Sequence, residues 1–335
     1  MTSPPNAMGA GRPAYVLGVL ASLIFIVLVF FKFLPDVGTG VVQETPSVLT
    51  SWPLYDDYYL KPDSVHHSRF LGNVTLYALA QQISHGVHST DLRLHPLRIS
   101  ATLLTMLWFL VALAPVHLLG RRIDWQVYLP AFGVMFMAGL YVFYPCDAPS
   151  LAWLTLSLVF ILREQLPLAF VCMLVTGLFR ESAFHLVGLV TFWALTARHQ
   201  PVGKRLMWVA LFAVAFVVEY KLVRVWFPGE TRGADYYRMV LLEHPADLLF
   251  GGGLWSLTTL MTLPLALLYP LAWWVLKRRQ TRGWQQRFFL LNCLAFPAWV
   301  LFYRVQGGNI NEFRIMWPFI VPLVVGLAWR DEGRA

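Results

Sequence analysis

Residues 99–119 read ISATLLTMLWFLVALAPVHLL, with no Asp, Glu, Lys or Arg among them. About 20 apolar helical residues, each adding roughly 1.5 Å, cross the roughly 30 Å hydrocarbon core of a bilayer, so this stretch is long enough to span one. Outward from it, runs of comparable character lie at Ala14 to Leu34, Val127 to Tyr144, Leu206 to Phe227, Leu254 to Leu276, Phe288 to Tyr303 and Ile315 to Trp329. Three shorter runs, Leu151 to Leu162, Leu166 to Phe179 and Ala183 to Ala197, fall between them. The expected fold is all-α: a polytopic transmembrane helix bundle of about ten spans, with residues 14–335 forming one membrane domain behind a cytoplasmic tail, 1–13. The first run exceeds the roughly 7–15 residues of a cleavable signal's apolar region and reads as a retained anchor.

Composition agrees. Charged residues make up 13% of the chain, against about 25% in soluble domains, while 58% are hydrophobic, 15% aromatic, and mean hydropathy is +0.58. A net charge of +8 and a pI near 9.5 would suggest nucleic acid in a soluble protein. Here the basic residues sit between apolar runs, which fits positive-inside retention and no nucleic-acid partner. With the N-terminus inside and ten crossings, the inner segments are 1–13, 120–126, 163–165, 198–205, 277–287 and 330–335. They hold fourteen of the 26 Lys and Arg but only four of the 18 acids. The cluster KRRQTR at Lys277 to Arg282 fixes the sign most firmly. The expected location is therefore the inner (cytoplasmic) membrane, multi-pass, with both termini cytoplasmic. The three cysteines, Cys146, Cys172 and Cys293, lie in or beside apolar runs without metal-like spacing and read as buried free thiols.

This orientation sends the loop 35–98 to the outer face. It contains residues 52–73, WPLYDDYYLKPDSVHHSRFLGN, where Asp56, Asp57, His66, His67 and Arg69 stand among aromatics. Pro53 and Pro62 bracket the acids, so the segment reads as an ordered loop. From Phe70 to Ile83 apolar residues recur at helical spacing, which suits a helix lying in the outer interface. Four more polar sites fall on the same side: Asp147 in YPCDAPS; Arg180, Glu181 and His185 in FRESAFH; Glu219, Lys221 and Arg224 near the end of a span; and Asn309, Asn311, Glu312 and Arg314 in QGGNINEFR.

Each has a structural reading beside the functional one. Arg180 and Glu181 suit an ion pair at a helix junction, and Asp147 suits a helix cap. Lys221 and Arg224 suit long basic side chains reaching the interface. Adjacent His66 and His67 point apart on a helix and do not suit a shared metal, and Asn73-Val-Thr is a common tripeptide. The functional reading joins them. A carboxylate among aromatics is partly desolvated and raised towards general-base use, or it holds a divalent cation beside a phosphate. Arginines bind phosphate oxygens bidentately.

An acidic pair on the first outer loop, soon after the first span and ahead of an amphipathic stretch, resembles the GT-C class of membrane glycosyltransferases. The resemblance rests on Asp56 and Asp57 and on the architecture of most of the chain. It implies a catalytic base at Asp56 or Asp57 and transfer of a sugar from a polyprenyl-phosphate donor to a cell-envelope glycan or glycolipid at the outer face. Later outer residues (His66, Arg69, Asp147, Arg180, Glu181, Asn309, Asn311, Glu312 and Arg314) would bind substrate. An O-antigen-type polysaccharide polymerase uses the same carrier and side, though the segment Pro228 to Gly253 is modest for its large outer loop. A transporter or lipid flippase would carry its charges along a path through the bundle instead.

Overall fold

The computed structural model describes residues 12–28, 49, 51–60, 70–86, 94–139, 145–180, 183–226, 269–277, 283–305 and 317–330. Among these residues the protein is helical, and the only β pairing is a single bridge between Ile123 and Trp329. The helices are α1 (Arg12–Leu28), α2 (Trp52–Tyr55), α3 (Phe70–Ser84), α4 (Pro96–Leu113), α5 (Trp125–Gly139) and α6 (Asp147–Leu162), followed by α7 (Leu166–Phe179), α8 (Phe184–Thr196), α9 (Val202–Trp226), α10 (Trp284–Val305) and α11 (Trp317–Ala328). Residues 269–277 are also helical. Among the described residues, two helical stretches, Pro96–Gly120 and Val202–Val223, are long and apolar enough to cross a membrane. The expected segments are thus helices wherever they are described, whereas the run 254–276 is described only from residue 269.

The element bounds follow from local chemistry. Pro96 and Pro167 occupy the first turns of α4 and α7, where a missing N–H leaves nothing unsatisfied. A 3₁₀ segment, Ala114–Arg122, extends α4 and is kinked at Gly120, whose φ of 58° favours glycine. Hydroxyls within the apolar helices bond back to carbonyls one turn earlier: Thr155 to Leu151, Thr176 to Cys172, Thr191 to Val187 and Thr196 to Phe192, at 2.7–2.8 Å. This satisfies them without water.

The centre of the bundle is α11, buried at every position, as a helix apolar on all sides must be. Trp317 donates its indole N–H to the Met135 carbonyl at 3.0 Å and stacks on Phe136. Gly326 lets the Phe289 ring approach to about 3.0 Å of where a Cβ would stand. α6 is nearly as enclosed and pairs with α7, where Ser157 donates to the Ala169 carbonyl at 3.0 Å. In contrast, α9 exposes most of its length, for example Val214 and Val225.

One end of the bundle is basic. There Tyr15 meets His117 at 2.9 Å, and Asp124 pairs with Arg330 at 2.5 Å. Arg163 donates to the Leu118 carbonyl, and Trp284 faces His199. At the same end Glu164, in the left-handed region at φ 59°, is held by Trp193, His199 and Gln200 at 3.3, 2.8 and 3.3 Å. A non-glycine residue keeps such a conformation only when its surroundings over-determine it. Because residues 164 and 193–200 meet here, α7 leaves the basic end and α8 returns to it. The chain reverses direction between them, just after Arg180.

Candidate functional site

At the opposite end, the acidic pair is carried on helical turns where an ordered loop was expected. Pro53 sits in the first turn of α2, the Tyr55 N–H reaches the Ser51 carbonyl at 3.0 Å, and a π-helical turn, Asp56–Leu60, continues the chain. The two prolines that read as loop punctuation include one that starts a helix. Single π turns inside helices are frequent at functional sites.

Tyr55 fastens this turn to the bundle. Its side chain is fully buried, its hydroxyl donates to the Asn73 carbonyl of α3 at 2.9 Å, and its ring stacks on Tyr77. Trp52 closes the cluster, 5.3 Å from Tyr77 and 5.6 Å from His95 between ring centroids. Burial raises the Tyr55 phenol well above its ordinary range, with Cys146 and Asp56 adding to the effect. The contribution of Cys146 identifies the neighbour across the helix gap. Gly72 explains how that neighbour comes so close, because a Cβ at 72 would stand 2.7–2.9 Å from the backbone of Pro145 and Cys146.

The residue after Cys146 is Asp147, which begins α6 without capping it: Cys146 occupies the cap position and no side-chain cap bond forms. Instead, the Asp147 carboxylate accepts from the guanidinium of Arg180 at the end of α7, and both side chains are buried. The Cys146 thiol donates to the same carboxylate at 3.6 Å, and the Ser150 hydroxyl donates to the Asp147 carbonyl at 2.9 Å. Arg180 therefore has its ion pair with a residue 33 positions earlier in the chain. Mutual neutralisation and extra donors are what a buried pair requires to offset its desolvation.

Three sequence-distant elements thus meet: the acidic turn, the start of α3, and the corner where the start of α6 pairs with the end of α7. Asp56 is half-buried and Asp57 exposed. The enclosed Oδ1 of Asp56 has no hydrogen-bond partner among the described residues. Burial, and then the neighbouring charge of Asp57, raise the Asp56 carboxyl above its ordinary value. His185 begins α8 and is buried against Phe184, Trp299 and Phe319. It lines a small crevice with Asn292, Trp299 and Phe319, to which the acidic turn contributes no lining residue. Among the described residues no three His, Cys, Asp or Glu side chains gather as a metal would need. His66, Arg69, Glu181, Asn309, Asn311, Glu312 and Arg314 lie outside the described residues.

Sequence reasoning passed over Tyr55 and Gly72, and read Cys146 only as a buried thiol, which it is. Only the tyrosine carried a signal, an aromatic directly preceding two acids. Comparison with protein-family models, with curated proteins and with solved structures finds no match for this chain.

Proposed function

We propose that this protein is a multi-pass inner-membrane glycosyltransferase that moves a sugar from a polyprenyl-phosphate donor onto a glycan or glycolipid acceptor at the outer face. The observation that carries this reading is the docking of the acidic turn, through Tyr55 and Gly72, beside the buried Asp147–Arg180 pair. The ten-span topology belongs to the same proposal. It is supported by the meeting at one end of residues from the segments read as inner, Asp124 with Arg330 and Glu164 with His199, while the acidic turn lies at the other.

Helix length gives the site its depth. At roughly 1.5 Å per residue, α6, α7 and α8 reach only about 20–24 Å, short of a roughly 30 Å core. Starting from the inner surface, they would end below the outer one, with Asp147 and Arg180 buried beneath the acidic turn. In this reading the lipid-linked sugar phosphate reaches the acidic turn from the membrane, and water reaches it from outside.

In this mechanism Asp56, with its raised carboxyl, or Asp57 takes the proton of the acceptor hydroxyl. The acceptor oxygen bonds to the anomeric carbon as the bond from that carbon to the carrier phosphate oxygen breaks. Polyprenyl phosphate leaves with the electron pair. Arg180 is committed to Asp147 and acts as a positioning residue, so Arg69 and Arg314 take the phosphate. A divalent cation held by an acid could share its charge.

The test is sugar transfer in membrane vesicles from a panel of polyprenyl-phosphate-linked sugars, comparing the wild type with the double variant Asp56→Asn, Asp57→Asn. Loss of a general base should slow transfer about 10²–10⁴-fold with the variant still monodisperse in detergent. Full activity in the double variant would contradict the mechanism.

A further inference from the structure

The described helices packed most closely against α9 are α7 and α8, and the α7 contact contains an acid. The carboxylate of Glu219 lies against the bare Cα of Gly177, where a Cβ would overlap both of its oxygens. Its Oε2 is enclosed and has no hydrogen-bond partner among the described residues. Glu219 belongs to one of the two stretches long and apolar enough to cross a membrane. An ionised carboxylate without a partner in such surroundings is costly enough that the group neutralises instead.

Among the described side chains, the nearby ionisable groups do not supply a counter-charge. On α7 these are Cys172, a buried thiol, and Arg180, which is paired with Asp147. On α8 it is His185, which packs among Phe184, Trp299 and Phe319. On α9 itself, Lys221 is exposed and Tyr220 packs on Phe216, and the side chain of Arg224 lies outside those described.

We infer that Glu219 and the notch at Gly177 form a proton-binding site within the apolar layer, occupied at neutral pH, and that the α7–α9 contact depends on the bound proton. When the proton leaves, the carboxylate must leave the notch, and the contact opens one turn from Arg180. The inference does not rest on sugar transfer, and its test is independent of it.

A protonated carboxyl in an apolar site adds across a C=N bond of a lipid-soluble carbodiimide, and the resulting O-acylisourea rearranges to a stable N-acylurea. Dicyclohexylcarbodiimide is applied to the full protein in native membranes over a pH series, and adducts are located by peptide mass spectrometry. The expected result is modification of Glu219 at neutral pH that falls as pH rises, and its absence in Glu219→Gln. Gly177→Val, which fills the notch and expels the carboxyl, should lose most of the neutral-pH labelling while the protein remains monodisperse in detergent. Should Gly177→Val fail to fold, the wild-type pH series alone decides. Overturning results would be no adduct at Glu219 at any pH, or an adduct only with a water-soluble carbodiimide and added amine, which marks an ionised, water-facing carboxylate.

Discussion

The buried Asp147–Arg180 ion pair joins the first residue of α6 to the residue that ends α7. It makes one rigid corner of a helix pair that could otherwise slide. Removing one partner leaves an uncompensated buried charge, so Asp147→Asn or Arg180→Met should each destabilise by about 3–5 kcal/mol. The double variant Asp147→Leu, Arg180→Met should cost less than either. Thermal and denaturant unfolding of the purified protein in detergent measures this, and equal losses in all three would show that the pair itself is not the source.

Asp56 makes a pH-dependent prediction of opposite sign to that of a salt-bridged acid. Its carboxyl is raised in the folded state by burial and by Asp57. The folded protein therefore holds a proton that the unfolded chain has released, and stability falls as pH rises through the raised folded value. Asp56→Asn should unfold at a higher temperature than the wild type at neutral pH. The difference should fade as pH approaches the ordinary value of 3.8. A gap that is constant with pH would assign the effect to something other than ionisation.

Tyr55→Phe tests how the acidic turn is fastened. It removes the 2.9 Å bond to the Asn73 carbonyl and should cost about 0.5–1.5 kcal/mol. It should slow sugar transfer more than that loss alone would, because Asp56 follows directly. Gly72→Val should be worse: its Cβ meets backbone atoms of residues 145 and 146, which cannot rotate away, and overpacking of this kind typically costs about 1–3 kcal/mol or more.

The exposed pair Asp124–Arg330 forms the contrast. It is reinforced by backbone bonds, from Asp124 N–H to the Ala328 carbonyl at 2.7 Å and from Arg330 N–H to the Arg122 carbonyl at 2.6 Å. Arg330→Ala should therefore change stability by no more than about 1 kcal/mol, diminishing further in high salt. A loss comparable to that at Arg180 would place this pair in a less solvated setting than its exposure indicates.

Most helices were legible because their signals are local. The bounds Leu166–Phe179 coincide with the apolar run read from sequence, since Pro167 starts the helix and Arg180 ends the run. The helical form of Trp52 to Leu60 was not legible, because prolines mark loops and helix starts alike. The pairing of Asp147 with Arg180 and the approach of Gly72 to Cys146 depend on how α3, α6 and α7 pack, which no spacing along the chain encodes. Glu219 read only as a polar residue near the end of a span, which is a local signal, whereas the glycine that receives it lies on another helix.

The central claim is that the acidic turn forms an outward-facing site that accepts a lipid phosphate. The most direct measurement uses Asp57→Cys in a chain with Cys146, Cys172 and Cys293 replaced, labelled on intact cells with a membrane-impermeant thiol reagent, with and without added polyprenyl phosphate. The account predicts labelling from outside that the lipid phosphate slows. Labelling only after the membrane is opened, or labelling indifferent to the phosphate, would contradict it.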